Sequence, residues 1–224
     1  MATERPLTRR VSVAWPLPVA ELATVVLLLV IYPPFRVVSK QASVTAANAT
    51  SAATFDPAAF ATEFFGAKLL PAAARAHDLA PLLADLRRDP AAALQKHGRR
   101  VGLGNAAYYF ARGTGRVTAV ERSRLLVEID GAVVAVRTGP VFGNVVRDGC
   151  GLLEVNQAPG LAEFNALSAE LNRLVEEKVQ PALKTGVAVG ATIAFAGCAE
   201  APETLPAAGA PLLTFIPLQA EVEP

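Results

Sequence analysis

Arg147 and Asp148 are adjacent charged residues in a stretch predicted to connect a sheet to a helix. Connections of this kind often carry binding residues, because a rigid scaffold positions them. The planar guanidinium of Arg147 suits a ligand carboxylate or phosphate, which it can grip through two parallel hydrogen bonds. In the alternative interpretation the two charges anchor their own loop, since buried polar groups are normally hydrogen-bonded. The sequence leaves both interpretations open.

Asn156 and Gln157 precede the longest predicted helix of the soluble part, and Tyr108 begins an aromatic run on a predicted strand. The two amides can bind a sugar hydroxyl, or they can cap the helix and satisfy the loop. Tyr108, Tyr109 and Phe110 can stack on a base or a sugar ring, or they can pack in the core. The net charge is +1 and no Arg or Lys is interleaved with these aromatics. We therefore expect no nucleic acid partner.

Cys150 and Cys198 are the two cysteines of the chain and lie 48 residues apart. In an oxidising compartment they can form a disulfide, and the alternative is two small buried thiols. His77 and His97 are the two histidines, and neither is near a cysteine in sequence. Because no metal-ligand spacing results, we predict no metal and no cofactor.

Catalysis has little support in the sequence. Ser123 and Ser168 have no nearby histidine in a recognisable motif, and no phosphate-binding glycine-rich loop precedes a helix. Glu176 and Glu177 are expected on an exposed helix face. We predict no catalytic residues and a protein that is not an enzyme.

The N-terminal part predicts a membrane anchor. Residues 22–32 are an apolar run, and between Trp15 and Phe35 the only charge is Glu21. A helix of that length rises roughly 31 Å, about the thickness of one hydrocarbon core. Prolines follow the apolar run where a cleavage site would need small residues, so an uncleaved anchor over residues 15–35 is favoured. A cleaved signal peptide or a buried core helix is the alternative, and the flanking arginines favour a cytoplasmic N-terminus.

Three regions follow from the patterns along the chain. Residues 1–54 comprise a cytoplasmic tip, the anchor and an uncharged flexible tether over 41–54. Residues 55–104 form a small helical subdomain, with Asp56 capping a first helix, a second over 79–86, and a third over 90–97 that Asp89 caps. Residues 105–222 form the third region, in which the apolar period changes to two.

The third region predicts an α+β fold with an OB-like five-stranded β-barrel and one helix. Strands over 107–111 and 116–121 meet at a turn, Gly113-Thr114-Gly115. Asp130-Gly131 joins the next two, over 125–130 and 132–138, as a tight hairpin. A helix from Pro159 to Pro181 precedes two further strands, over 187–196 and 212–219. This order of a meander, one helix and two strands is typical of the OB-fold.

A series of short motifs resembles a known family in order and spacing. The motifs are Phe55-Asp56-Pro57, residues 68–74, Gly98-Arg99-Arg100, Gly113-Thr114-Gly115, Gly139-Pro140, Arg147-Asp148, Asn156-Gln157 and Leu171-Asn172. From about Phe35 to Val222 the chain resembles the domain of unknown function 2291 family, the predicted periplasmic lipoproteins of bacteria. One departure stands out: Pro33-Pro34-Phe35 lies where that family's lipid-bearing cysteine would be expected. A protein anchor is therefore expected in place of the lipid.

The resemblance implies a helical domain followed by an OB-like barrel, exported and held at the membrane. It also implies a supporting role beside ABC-type sugar transporters, with no established activity. We expect a single-pass inner-membrane protein with its C-terminal domain in the periplasm, a non-catalytic accessory or binding module whose partners are transporter components or a small polar solute. The alternatives are a cytoplasmic-facing OB-fold module that binds nucleic acid and an envelope enzyme.

Overall fold

The computed structural model describes residues 55–102, 106–202, 204–207 and 209–223. The predicted anchor over 15–35 and the predicted tether over 41–54 lie outside these residues. Within the part of the chain that is described, no helix is long and apolar enough to cross a membrane.

The first helix, α1 (Pro57–Phe64), begins where the sequence predicts. Asp56 caps it, and its Oδ1 accepts hydrogen bonds from the amides of Ala58 and Ala59 at 2.9 and 3.2 Å. A π-helical turn (Phe65–Leu69) and a short helix, α2 (Leu70–Ala73), continue the same run. Because Pro71 lacks an amide hydrogen and crowds the preceding turn, it explains why the helix widens there rather than continuing regularly.

Two further helices complete the helical segment. Strand β1 (His77–Asp78) leads into α3 (Leu79–Arg88), which buries four leucines at helical spacing, Leu79, Leu82, Leu83 and Leu86. The next helix, α4 (Pro90–His97), has the predicted cap, because Asp89 Oδ1 accepts from the amides of Ala91 and Ala92. These caps satisfy amides that a helix start otherwise leaves unpaired.

The strands join in one sheet. Besides β1, they are β2 (Gly98–Arg100), β3 (Ala107–Val120), β4 (Arg124–Ile129), β5 (Ala132–Arg137), β6 (Thr192–Glu200) and β7 (Thr214–Glu223). The hydrogen-bonded order is β3–β4–β5–β7–β6, and β6 also pairs with β3, so these five strands form a closed cycle of pairings. The pairing of β5 with β7 is parallel, and the other pairings of the cycle are antiparallel.

The prediction of a turn at Gly113-Thr114-Gly115 is wrong, because β3 runs without interruption through these residues. The two glycines instead allow close packing. A Cβ at Gly113 would lie 3.0 Å from Leu79 Cβ, and one at Gly115 would lie 2.5 Å from the carbonyl oxygen of Glu128. By contrast, the Asp130-Gly131 hairpin is confirmed, since both residues have positive φ, 47° and 70°.

Three helices lie between β5 and β6: α5 (Val145–Gly149), α6 (Leu161–Lys178) and α7 (Gln180–Lys184), with a 3₁₀ turn (Val155–Gln157) before α6. The predicted apolar face of α6 is buried from Phe164 to Val175. Leu161 was expected on that face but is 67% exposed, because it is the first residue of the helix.

Two apolar clusters form the core. The first joins α1 and α6 to one side of the sheet and includes Phe64, Leu171 and Ile216. The second joins α3 to buried apolar side chains of the strands that are not part of the first cluster, and it includes Leu82 and Phe215. The described chain is therefore a mixed α+β fold in which helices cover the sheet. The domain boundaries at residues 54, 104 and 222 stay predictions.

Candidate functional site

The Arg147 side chain is committed to contacts within the protein. Its Nε and Nη2 donate to the two carboxylate oxygens of Asp148 at 2.7 and 3.0 Å, and its Nη1 donates to Asn165 Oδ1 at 3.0 Å. The guanidinium also lies 4.2 Å from the centre of the Phe164 ring. Since Asn165 and Phe164 belong to α6, these contacts join α5 to α6. They fit the interpretation in which the pair anchors its own segment.

The ion pair lies in a poorly solvated position, with side-chain exposures of 7% for Arg147 and 12% for Asp148. A ligand carboxylate would have to displace Asp148 to reach the same edge of the guanidinium. Arg147 is therefore better placed as a positioning residue of α5 than as a ligand-binding group. Ligand binding by Arg147 and Asp148 remains a prediction that would require this pair to open.

Tyr108 is also turned into the protein. Burial raises the pKa of the Tyr108 hydroxyl, with a smaller upward contribution from the nearby charge of Asp148. Its neighbour Tyr109 is 1% exposed in the second apolar cluster, and burial raises the pKa of its hydroxyl too. The structure thus places both rings where the core interpretation expects them, not as an open stacking surface.

Asn156 and Gln157 lie on the 3₁₀ turn before α6. The Gln157 side-chain oxygen accepts a hydrogen bond from the Glu154 amide at 2.9 Å, and the Glu154 carboxylate accepts in return from the amide of Gln157. This reciprocal pair is a capping box, which uses the Gln157 amide group within the turn. Asn156 is exposed, and no hydrogen bond among the described residues joins it to the Arg147 pair.

The two cysteines are not bonded to each other in the structure, and their pairing in an oxidising compartment stays a prediction. Cys198 is fully buried on β6, and Cys150 follows α5, where its Sγ donates to the Arg147 carbonyl at 3.3 Å. Burial raises the pKa of the Cys150 thiol and holds the pKa of Cys198 well above its usual range. Since the thiolate is the reactive form, both groups are poor nucleophiles here.

An open cleft lies across β3, β6 and β7. The strand register places two rows of side chains on one face, Arg112–Ala196–Gln219 and Thr114–Ala194–Glu221. Alanines of the middle strand form the floor, while longer polar side chains stand on the strands at either side. Neighbouring strands are about 4.8 Å apart, so the two walls are roughly 10 Å from each other.

The cleft carries charges of both signs. Arg112 donates to Asp78 at 3.2 Å and to the Ala74 carbonyl at 2.9 Å, which holds its guanidinium at the rim near the start of α3. Asp130 and Glu221 add two carboxylates to the lining. The volume, about 630 Å³, falls in the range of small-molecule sites. This arrangement can exchange several hydrogen bonds with a small polar molecule.

Sequence reasoning missed this cleft. By assigning a turn at Gly113-Thr114-Gly115, it removed Arg112 and Thr114 from a strand face. The alternation of exposed Arg112, Thr114 and Arg116 with more buried neighbours was the available signal. The pairing with β6 and β7 had no signal of its own, because register between distant strands is set by tertiary packing.

Within the ranges that the structure covers, no group of three or more His, Cys, Asp or Glu side chains could hold a metal ion. The two histidines meet edge to face at 5.9 Å, and His97 Nε2 lies 2.8 Å from Asp85 Oδ2. These contacts connect α4 to α3 and β1.

The chain is similar to one protein family and to a solved structure. The model of a family described as "Predicted periplasmic lipoprotein (DUF2291)" matches residues 25–219. The crystal structure of an OB-fold protein from Thermotoga maritima is similar with a TM-score of 0.65 and 24% sequence identity, covering 75% of this chain and 99% of that one. This similarity shows the fold alone. Comparison with curated proteins gives no significant match.

Proposed function

Since the chain belongs to the DUF2291 family of predicted periplasmic lipoproteins, we propose that it is a non-catalytic accessory or binding module that acts with an ABC-type sugar uptake system. Its function in this proposal is to bind a small polar solute, or to hold it near the transporter, without changing it chemically. The cleft across β3, β6 and β7 carries the proposal, because its volume and mixed polar lining suit such a solute.

The chemistry of the cleft supports binding more than reaction. Asp78, Asp130 and Glu221 supply carboxylate oxygens, and Gln219 and Thr114 supply an amide and a hydroxyl. Sugar hydroxyls donate hydrogen bonds to carboxylates and accept them from Arg112. The two thiols, which would be the strongest nucleophiles, lie buried in the first apolar cluster and away from this lining.

We further propose that residues 15–35 anchor the protein as a single pass in the inner membrane, with the C-terminal domain in the periplasm. The family description supports the periplasmic location. The apolar stretch from Trp15 to Phe35, and the absence of a cysteine where the lipid would be attached, support the anchor. In this arrangement the domain stays close to a transporter in the same membrane.

The five-stranded cycle of pairings is, in this proposal, an OB-type barrel. Its support is the return of β6 to β3 and the similar fold of the Thermotoga maritima OB-fold protein. The cleft then lies on the outer face of the first, fourth and fifth strands of the barrel.

The test is uptake of labelled monosaccharides by bacteria that lack the gene, complemented with the full-length chain. We expect uptake to fall on deletion and to recover with the natural sequence but not with Ala194→Leu, which fills the cleft floor. Thr118→Val, on the same face of β3 beyond the cleft lining, is the matched control and should restore uptake. Equal uptake in all strains would contradict the proposal, as would release of a chemically altered sugar.

A further inference from the structure

A second groove runs along α6, on a part of the molecule separate from the cleft. Four polar side chains face it from successive turns of the helix, Asn165, Ser168, Asn172 and Glu176. Residues 141–144 form the opposite wall, and the groove encloses about 380 Å³. The spacing of three and four residues puts these side chains on one helix face, although the other buried positions of that helix are apolar.

The two walls are held together by hydrogen bonds. The Val141 amide donates to Glu176 Oε1 at 2.7 Å, and Asn172 Nδ2 donates to the Gly143 carbonyl at 2.9 Å. Arg173, at the edge, is bonded to Glu170 and Glu177 at 2.9 and 2.6 Å, so its charge is already compensated. The groove is therefore formed before any ligand arrives, which lowers the entropy cost of binding.

Two buried polar atoms, on residues that line this groove, have no partner among the described residues. Ser168 and Asn172 are 6% and 5% exposed, and neither Ser168 Oγ nor Asn172 Oδ1 has a hydrogen bond within the described residues. The bond from Asn172 Nδ2 to Gly143 fixes the amide so that its oxygen remains the free acceptor. A buried polar atom without a partner is costly, so two of them one helical turn apart call for an occupant.

The wall adds an aromatic ring. Phe142 lines the groove and is 78% exposed, the largest exposure among the large apolar side chains of the described residues. An open ring beside buried hydrogen-bonding atoms suits a molecule with one apolar face and polar edges. Because Asn172 Oδ1 can only accept and Ser168 Oγ can donate and accept, the ligand must offer hydroxyl groups rather than only carboxylates.

We propose that the α6 groove is a binding site for a cyclic polyol, with neighbouring hydroxyls bonded to Ser168 and Asn172 and its C–H face against Phe142. Helix positions four residues apart are about 5–6 Å apart at Cβ, a distance that two hydroxyls of one ring can bridge. This site does not depend on the cleft across β3, β6 and β7. Failure of one proposal leaves the other standing.

The test is saturation-transfer NMR on the full-length protein in detergent micelles, with myo-inositol and D-glucose as probes. We expect transfer from the protein to at least one probe, weakened about tenfold by Ser168→Ala, which removes a hydrogen bond to the ligand. Phe142→Ala should weaken it by several fold while leaving the unfolding temperature unchanged. Thr118→Val, outside both the groove and the cleft, is the matched control and should leave the transfer intact.

The thermal stability of Ser168→Ala gives an independent readout. Without probe we expect a higher unfolding temperature than for the natural sequence, because the variant removes an unpaired hydroxyl and alanine favours the helix. A lower unfolding temperature would mean that the hydroxyl has an internal partner, and it would overturn the proposal. The absence of transfer to both probes would overturn it too. So would transfer in Ser168→Ala and Phe142→Ala that equals the transfer in the natural sequence, because the two atoms would then hold only water.

Discussion

Arg147 and Asp148, neighbours in the chain, form a two-bond ion pair at 2.7 and 3.0 Å in a position where both side chains are nearly buried. Adjacent residues seldom face each other in a regular helix, and here the third contact, with Asn165 on α6, shows which surface the pair faces. The ion pair and its contact with Asn165 therefore connect α5 to α6.

Replacing Arg147 by Ala should lower the free energy of unfolding by about 3–5 kcal/mol, because Asp148 would be left as an unpaired charge in a poorly solvated site. Chemical denaturation of the full-length protein in micelles, followed by circular dichroism, measures this loss. Arg173→Ala is the control, since its ion pairs are solvent-exposed and should contribute little to stability. Equal losses in the two variants would show that the Arg147 pair is no more than a surface contact.

Gly115→Ala should destabilise the protein by about 1–3 kcal/mol, because the new methyl group would overlap the Glu128 carbonyl oxygen on the paired strand. Gly66→Ala is a matched control, since its methyl group would meet no atom within 4 Å. That control should be neutral or stabilising by about 0.5–1 kcal/mol, through the lower entropy of the unfolded chain. A neutral Gly115→Ala would place a turn, not a packed strand, at this residue.

Asp85 should make stability depend on pH in the acid range. Hydrogen bonds from Lys96 at 2.7 Å and from His97 at 2.8 Å hold the pKa of Asp85 below its ordinary value of 3.8. The folded protein therefore binds this proton less tightly than the unfolded chain does, and the stabilisation is present above the unfolded pKa. This stabilisation should be lost as the pH falls below about 4 and passes through the lower pKa that Asp85 has in the folded protein.

The measurement for Asp85 is denaturant unfolding at several pH values from neutral to acid. Asp85→Asn should show a shallower loss of stability in the acid range than the natural sequence, because its amide does not titrate. Glu63→Gln, at an exposed position of α1, should keep the natural slope. If Asp85→Asn also kept that slope, the contacts with Lys96 and His97 would not favour the charged carboxylate.

Cys150 and Cys198 should resist alkylation in the folded protein. Burial raises the pKa of both thiols, so little thiolate forms near neutral pH, and Cys198 is closed to the reagent. Mass spectrometry after iodoacetamide treatment should find no adduct in the folded protein and two after unfolding in guanidinium. Ala59→Cys, at an exposed position on α1, should add one rapidly labelled thiol. If the mass of the natural protein were lower by two hydrogens, and if it took up no label after unfolding, it would instead carry the disulfide.

The local features of the fold were accessible from the sequence, because each depends on residues that are close along the chain. Asp56 and Asp89 cap the helices predicted for them, and Asp130-Gly131 adopts the positive φ angles that its residue types favour. The apolar spacing of α6 likewise placed its buried face correctly from Phe164 to Val175. Side-chain chemistry within a turn or two is sufficient for such predictions.

The sites depended on contacts between distant segments. Gly113 and Gly115 have turn-forming character, yet their role follows from Leu79 and Glu128, which approach β3 from elsewhere in the chain. Arg112 lies across from Gln219 only because β6 pairs with both β3 and β7. Ser168 and Asn172 are ordinary polar helix residues in the sequence, and only the packing of residues 141–144 against α6 leaves their oxygens buried without partners.

The family, the α+β class, the helix starts and the tight hairpin follow from the amino-acid sequence, since they depend on motif order, apolar period and local hydrogen bonding. Three-dimensional packing sets the contacts of Arg147, the burial of both cysteines, and the positions of the cleft and the α6 groove. Burial, strand register and unsatisfied polar atoms are properties of pairs of residues far apart in the chain. A single sequence does not encode their distances directly.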